Sequence, residues 1–360
     1  SLDPVTHMLT GACVSRAGLN RKTALATLTL TLAFEAPDID SIFYFRDSIA
    51  GLQHHRGITH SLIGAPFMAA GVMAIVYGFH RWRSSRQKNV AEGASSSAFP
   101  KLLPNWKLLY AYALLGSLVH LFQDFTNNYG VRPFAPFNEK WYSWDIVFIV
   151  DPIMLLAMFL ALVVPALMAL VTEEIGSRKP QFRGRGAAIF ALICLAVVIL
   201  VRGIEHRRAM TALNSRTYRN EEPVHASAFP QPINPFSWNG VMETQDFFVM
   251  TPVDSGSGDV DPQNMAVVRF KPEETPVSLA AKKSRLGRVY LDWARYPLTT
   301  TEKLEGGRYQ VQFEDLRFES AESVAQHQRP ILAGYVVLDP QLRVEEMFTG
   351  RPPDVAPARK

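Results

Sequence analysis

The sequence is short of charge and nearly free of cysteine. Charged residues make up 19% of its 360 residues, below the ~25% usual for soluble domains. Its two cysteines, Cys13 and Cys194, both lie in apolar stretches, which excludes a disulfide framework and a cysteine-ligated zinc site. A Walker loop, a Gly-x-Ser-x-Gly elbow and a His-Glu-x-x-His motif are all absent, so three common signatures of hydrolases are excluded.

The charge that is present divides unevenly along the chain. The mean hydropathy of +0.02 is unremarkable. However, residues 1–202 hold 30 charged residues with a net charge of +6, whereas residues 203–360 hold 40 with a net charge of −2. The two parts therefore differ in charge content and in the sign of their net charge, which indicates two different kinds of domain.

Long apolar stretches fill the first part. About 20 apolar residues at ~1.5 Å rise per residue cross the hydrocarbon core of a bilayer. Two shorter stretches, about 5–19 and 23–35, predict short helices inside a bundle or a re-entrant hairpin. The fold class predicted for residues 1–203 is thus an α-helical polytopic membrane domain. Its predicted spans are residues 62–80, 106–126, 146–171 and 187–202.

Basic residues predict how this domain is oriented. Loops 81–107 and 173–186 hold six and four basic residues, whereas segments 36–61 and 127–145 hold two each. Basic loops stay in the cytoplasm, so the other segments and the chain after Arg202 are expected outside. Topology therefore explains the pI of 9.0 better than nucleic acid does, and no nucleic-acid partner is expected.

The remainder of the chain has the pattern of a soluble β-rich domain. Residues 204–235, rich in proline near their end, are interpreted as a linker, and residues 236–350 as the domain. Apolar and polar residues alternate over Tyr309–Phe313 after a Gly-Gly turn, which predicts a hairpin with 299–304. Further strands are predicted at 266–270, 288–293 and 331–338.

Ionisable residues at the ends of membrane segments are costly and usually functional, and here they share one predicted membrane face. His120 and Asp124 are one helical turn apart, so both project from one face. Asp38 and Asp40 are two residues apart, and an extended segment would point both to one side. The residues clustered at this face are His7, Asp38, Asp40, His54, His55, His60, His120, Asp124, Asp145 and Asp151.

This combination of imidazoles and carboxylates without thiolates suits zinc, manganese or iron. The set exceeds one tetrahedral site, which makes a two-metal centre plausible, and such centres activate water and clamp the oxygens of a phosphoester. Arg56 is a candidate for holding an anionic substrate or stabilising charge in the transition state. Asp145 and Asp151 begin the third span, and the sequence leaves open whether they join the site.

Four of the motifs that contain these residues together resemble a known family. Thr6-His7-Met-Leu-Thr-Gly11, Pro37-Asp-Ile-Asp40, His55-Arg-Gly-Ile-Thr-His-Ser61 and His120-x3-Asp124-x5-Gly130 are similar to the membrane-bound metal-dependent hydrolases, also called LexA-binding, inner membrane-associated hydrolases. The resemblance covers about residues 3–155. It implies a bacterial or archaeal inner-membrane protein, and it supplies no substrate. It also implies seven metal ligands, and His54 lies outside the motif; the implied ligands are His7, Asp38, Asp40, His55, His60, His120 and Asp124. The β-rich domain resembles an extension of longer relatives.

The sequence is compatible with three functions. The first is a metal-dependent hydrolase, zinc being the preferred ion, that acts on a small or lipid-like substrate at the bilayer, with Asp124 or Asp40 as base. The second is a metal-binding membrane scaffold whose β-rich domain recruits an unidentified protein. The third is an ion-coupled transporter, which requires polar residues continuing to the cytoplasmic face, where the sequence has few.

Overall fold

The computed structural model describes residues 4–88, 102–174, 184–326, 328 and 330–350. Its first half is helical, and two antiparallel β-sheets follow, which confirms the predicted fold class. The chain divides into two compact units, Ser1–Asp40 with Arg56–Val201 and Ser41–His55 with Arg202–Lys360. Residues 89–101 and 175–183, which include much of the two basic loops, lie outside the described residues.

Seven helices precede the first strand in the described part of the chain. They are α1 (Pro4–Arg16), α2 (Ala26–Glu35), α3 (Ser48–His54), α4 (Gly64–Lys88), α5 (Trp106–Thr126), α6 (Pro152–Glu174) and α7 (Arg185–Asn214). Two 3-10 helices, Ala36–Phe45 and Ile58–His60, lie between them and carry candidate site residues.

Three of these helices are long and apolar enough to cross a membrane: Trp106–Thr126, Pro152–Ala169 within α6, and Arg185–Asn214. Within the described residues, a fourth span exists only if Ser48–His60 and Gly64–Arg86 together count as one broken span. Helix α4, where a span was predicted at 62–80, does not qualify alone. Its second half carries His80, Arg81 and Arg83, which lower its apolar content.

In the first unit, small residues let the helices approach closely. Helix α2 packs between α1 and α5, α5 also contacts α4, and α1 contacts α6. A Cβ on Gly116 would lie 2.7 Å from the Ala33 Cβ, and one on Gly11 would lie 2.9 Å from the Leu30 carbonyl oxygen. Glycine is therefore needed at both helix crossings, which bring α1, α2 and α5 together around the candidate site.

The second unit contains two antiparallel sheets. In the first, neighbouring strands are β1-β2-β3-β4, and β5 pairs with β3; in the second they are β6-β7-β8-β9. The strands are β1 (His225–Pro230), β2 (Ser237–Glu243), β3 (Phe247–Asp254), β4 (Asp259–Val260), β5 (Val267–Phe270), β6 (Pro297–Lys303), β7 (Tyr309–Asp315), β8 (Gly334–Leu338) and β9 (Val344–Thr349). Strands β6 and β7 form the predicted hairpin.

Two apolar clusters hold this unit together. One joins the sheets through Phe229, Phe248 and Leu298. The other packs Ala209 and Leu213 of α7 against the first sheet. Residues 204–235, interpreted as a linker, thus include the end of α7 and strand β1. Their prolines lie at or beside strand ends, where they remove no internal ladder hydrogen bond.

The predicted strand at 288–293 is wrong. These residues belong to a helix, α9 (Arg285–Trp293), which lies between α8 (Pro276–Lys282) and the second sheet's first strand. Ser284 caps it by accepting a hydrogen bond from the Gly287 N–H. Leu286, Tyr290 and Trp293 are buried at helical spacing, a period that a window of six residues is too short to show.

One buried acid in the second unit titrates unusually. Glu319 follows β7 and precedes α10 (Ala321–Ala325), and its carboxylate accepts hydrogen bonds from the Ile331 N–H and the Ser323 hydroxyl. Burial, despite the Ile331 hydrogen bond and with the help of the Glu314 charge, raises the pKa of Glu319 to about 7. This carboxyl therefore changes its charge near neutral pH.

Candidate metal centre

Four ionisable side chains from three segments of the first unit converge on one point. Each offers one ligand atom, and all four ligand atoms lie within 4.8 Å of one another. Such a group could hold a metal ion. Its members are Asp38, His60, His120 and Asp124.

Local sequence features place each of these side chains. Pro37 has no N–H for helical bonding, and at this point α2 gives way to the 3-10 helix that carries Asp38. Gly57 precedes the short turn that ends on His60. His120 and Asp124, one turn apart on α5, project from one helix face as their spacing predicted.

The distances show that the imidazoles present their Nε2 atoms to the carboxylates. His60 Nε2 lies 3.2 Å from Asp38 Oδ1 and 3.3 Å from Asp124 Oδ2. His120 Nε2 lies 3.4 Å from Asp124 Oδ2. The two Nε2 atoms are 3.1 Å apart, too short a separation to be comfortable between two cations and ordinary between ligands of one ion.

His7 of α1 joins the same group from the side. Its ring stacks on that of His120 with 3.8 Å between centroids, and its Nε2 lies 3.3 Å from Asp124 Oδ1. It is fully buried. The structure thus brings together five of the seven residues proposed as ligands.

Each of the three imidazoles has its Nδ1 facing a hydrogen-bond acceptor. His120 Nδ1 donates to the Phe34 carbonyl oxygen at 2.6 Å, and His7 Nδ1 donates to Gln123 Oε1 at 3.1 Å. His60 Nδ1 lies 3.2 Å from Asp40 Oδ2. A neutral imidazole that donates from Nδ1 keeps its lone pair on Nε2. All three rings are therefore oriented as metal-binding histidines are.

Orphaned buried atoms show that these residues fit a cation. Among the described residues, His7 Nε2 and both carboxylate oxygens of Asp38 are buried and receive no hydrogen bond. A buried polar atom without a partner is costly, and an ion at this point would satisfy the lone pairs of all three. The donor set contains nitrogen and carboxylate oxygen only, which matches zinc, manganese or iron.

Of the two carboxylates in the four-residue group, Asp38 lies outside the candidate membrane spans. Burial raises its pKa, but the neighbouring His60 imidazole outweighs burial and holds the pKa at about 2. Asp38 is thus ionised at neutral pH, the form that a metal ligand requires.

Asp40 lies behind the ligand group. Its Oδ2 accepts hydrogen bonds from the Arg56 N–H at 2.7 Å and from the Thr59 hydroxyl at 3.1 Å, and it faces His60 Nδ1. Through these contacts Asp40 orients His60.

Arg56 is fully buried. Its guanidinium donates to Asp124 Oδ1 at 2.7 Å and to the Gly130 carbonyl oxygen at 2.7 Å, and it lies over the Tyr129 ring at 4.8 Å. This position, where no surface is left for a substrate, makes Arg56 the counter-charge of Asp124.

His55, the remaining proposed ligand, belongs to the second unit. It is buried, and its ring meets that of Tyr44 edge to face with 6.0 Å between centroids. His54, outside the motif, has its ring centroid 4.6 Å from that of Phe43, with the two ring planes tilted by 35°.

Asp145 and Asp151 are buried in the first unit and lie outside the four-residue group. Asp151 caps α6, because its Oδ1 accepts hydrogen bonds from the Ile153 and Met154 N–H groups. Asp145 has a positive φ of 58°. Asp151 thus has a structural task that explains its position before Pro152.

Gln123 belongs to the site, although it is not among the predicted site residues. Its Oε1 accepts from His7, and its Nε2 donates to the Thr10 hydroxyl, which in turn contacts Met158 Sδ at 3.2 Å. A signal was present, because a glutamine inside a predicted span is costly unless its amide is hydrogen-bonded.

A helical unit with candidate membrane spans and a buried cluster of histidines and aspartates defines a membrane protein with a candidate metal centre. The model of a family described as "YdjM inner membrane protein" matches residues 2–209. That match covers more than half of the chain, which belongs to this family. It confirms the family resemblance drawn from the motifs.

The chain is also similar to the "Uncharacterized protein YfhP" of Bacillus subtilis (strain 168). The two are 25% identical over 171 residues, which cover 45% of this chain and 46% of the relative. The chain thus spans about half the length of the curated relative it matches. No solved structure matches it significantly.

Proposed function

We propose that the protein is a metal-dependent hydrolase of the inner membrane that cleaves a phosphoester-type or related bond in a substrate at the bilayer. One observation carries the proposal: three imidazoles, each held at Nδ1, converge on two carboxylates in a buried site. A polar network that merely closed a helix bundle would have no need to keep every Nε2 clear of hydrogen-bond acceptors outside the cluster.

The residues that would hold the ion are His7, Asp38, His60, His120 and Asp124. Zinc fits this set best, with manganese or iron as alternatives. A second ion would require ligands beyond these five. When bound, a divalent ion supplies a Lewis acid that activates water and neutralises charge developing on the substrate.

The chain's own residues divide the remaining tasks. Asp40 and Gln123 hold His60 and His7 in the orientation that keeps Nε2 toward the site. Arg56 supplies the counter-charge of Asp124 through its 2.7 Å contact. Asp40 Oδ2 and Asp124 Oδ1, which belong to the two bases considered from the sequence, are both engaged in these contacts.

We further propose a multi-pass protein whose second unit lies outside the cytoplasm. The apolar helices α5, α6 and α7 support several crossings. The distribution of basic residues supports the orientation, and it would place the metal centre at the outer face.

Metal content tests the proposal directly. The detergent-purified protein is expected to hold about one equivalent of zinc, and His60→Ala and Asp124→Ala are expected to lose it. His54→Ala is the matched control, because this exposed histidine lies outside the cluster, and it should retain the metal. A wild-type protein without stoichiometric metal overturns the proposal.

Turnover is then measured on a panel of p-nitrophenyl phosphates, phosphodiesters and carboxylic esters. The hydrolase predicts metal-dependent turnover that the two cluster variants abolish. Bound metal with no turnover on the whole panel would favour the scaffold instead.

A further inference from the structure

Exposed apolar side chains flank the segments that carry the candidate ligands. Ile39, between Asp38 and Asp40, is 60% exposed. Ile58 and Leu62, two residues to either side of His60, are 54% and 51% exposed. The same short segments thus present ligands inward and large apolar side chains outward.

A third segment extends this apolar surface. The Leu62 N–H donates to the Pro133 carbonyl oxygen at 2.9 Å, which joins the loop after α5 to the turn that carries His60. In that loop Phe134 is 48% exposed and Phe137 is 83% exposed. The Thr59 hydroxyl likewise ties the turn to Asp40. We call Ile39, Ile58, Leu62, Phe134 and Phe137 the apolar rim.

The segments that carry the apolar rim have no exposed charge of their own, and the exposed charges next to them in the chain are Glu139 and Lys140, of opposite sign, just beyond Phe137. The charged residues within 36–40, 56–63 and 131–137 are Asp38 and Asp40 of the site, together with Arg56 and Arg132, which are both buried. Single exposed apolar residues are ordinary, but a contiguous apolar patch marks a binding surface. With Glu139 and Lys140 at its edge offsetting one another, this patch has no excess positive charge with which to bind an acidic partner or an anionic head group electrostatically.

The rim is continuous with the membrane-facing part of the first unit. Its segments lead into α4 at Gly64 and follow the end of α5, a candidate span, at Thr126. Exposed Trp144, whose N–H donates to the Phe125 carbonyl oxygen, lies at the same end. Aromatic and aliphatic side chains at the end of a span are typical of the boundary between head groups and acyl chains.

We propose that the apolar rim is immersed in the acyl region of the bilayer and admits a lipid to the metal centre. The substrate class is an amphiphile with a long acyl or prenyl chain and a hydrolysable head group, which enters from the membrane. This assignment rests on the proposed hydrolase function. The location of the rim does not, so the two are tested separately.

Depth measurement tests the location. Ile58→Cys and Phe137→Cys are made in a Cys13→Ala, Cys194→Ala background, labelled with bimane and placed in phosphatidylethanolamine–phosphatidylglycerol nanodiscs. Both labels are expected to be quenched by lipids brominated on the acyl chain. A label at Ser257→Cys, in an exposed loop of the second unit, is expected to be quenched by iodide only.

Quenching of the rim labels by iodide, as strong as at Ser257→Cys, would overturn the inference. Protection from both quenchers in a nanodisc that holds two copies would also overturn it, because the rim would then be an interface between copies.

Hydrolysis tests the substrate class. Metal-loaded protein is compared on p-nitrophenyl esters and phosphates with two-carbon and sixteen-carbon chains. The wild type is expected to prefer the long chain, and Ile58→Ser with Phe137→Ser should reduce this preference at least about tenfold while metal content is unchanged. Equal turnover of both lengths would refute the lipid assignment. No turnover of either, with the rim labels quenched by lipid, would refute the hydrolase and leave the location of the rim established.

Discussion

The most informative single perturbation is the removal of the buried guanidinium of Arg56. This side chain has no exposed surface, and it donates to Asp124 Oδ1, to the Gly130 carbonyl and, at 3.2 Å, to Asn127 Oδ1. Arg56→Met keeps most of the volume and removes the charge. It leaves Asp124 beside the other site carboxylate with no permanent positive charge in contact with it.

The magnitude follows from the cost of an unpaired buried charge. Breaking a buried ion pair by removing one partner costs about 3–5 kcal/mol, and the orphaned Gly130 carbonyl is part of the same loss. We therefore expect the metal-free variant to be destabilised by about 4 kcal/mol. A metal ion at the centre would neutralise Asp124, so the loaded variant should lose about half of that amount.

Thermal unfolding of the detergent-purified protein, with zinc and with a chelator, measures this effect. The Tm of metal-free Arg56→Met should fall by about 10 °C, and zinc should recover part of the loss. Arg56→Lys, which keeps the charge, should fall less, and Arg46→Met, at an exposed arginine of the second unit, should match the wild type. A wild-type Tm for metal-free Arg56→Met would refute the assignment of Arg56 as the counter-charge of Asp124.

Three further predictions follow from other contacts. Gln123→Leu should weaken zinc affinity by about 10–100-fold while the protein still binds one equivalent at saturation, because His7 loses its orienting acceptor; unchanged affinity in a competition titration would contradict this. Gly116→Ala should destabilise the first unit by about 1–3 kcal/mol, whereas Gly71→Ala, with no atom within 4 Å of its Cβ, should not lower the Tm. For Glu319, whose pKa rises from 4.5 to about 7 on folding, the native state binds more protons between these values, so stability falls as pH rises through that window. Glu319→Gln should flatten this part of the Tm profile, and an unchanged slope would show that another group causes it.

The fold class was predictable because hydropathy and charge are summed over long windows. A stretch such as 106–126 reveals its helix by composition alone, and its bounds coincide with those of α5. Short elements were less predictable from the sequence. Residues 288–293 were assigned as a strand because six residues do not distinguish the two periods, and only the packing of Leu286, Tyr290 and Trp293 shows a helix.

The candidate site was predictable in its residue types and less so in their arrangement. The spacing of His120 and Asp124 on one helix determines that they face the same way. Asp38 and Asp40, expected to point to one side, are divided by a 3-10 helix into one residue in the cluster and one behind His60. Local spacing carries no information on such a change of backbone conformation.

The sequence by itself determined that this chain has an apolar helical part, a β-rich part and a few ionisable residues kept at one predicted membrane face. These are consequences of solvation, since a charge retained in an apolar segment is costly and points to a function. Only the tertiary structure decided which of those residues meet. The crossings at Gly11 and Gly116 bring α1, α2 and α5 close enough for His7 to join His120, for Gln123 to orient His7, and for Arg56 to be buried against Asp124. Those contacts link residues up to 116 positions apart, and their geometry is set by helix packing, which no local pattern encodes.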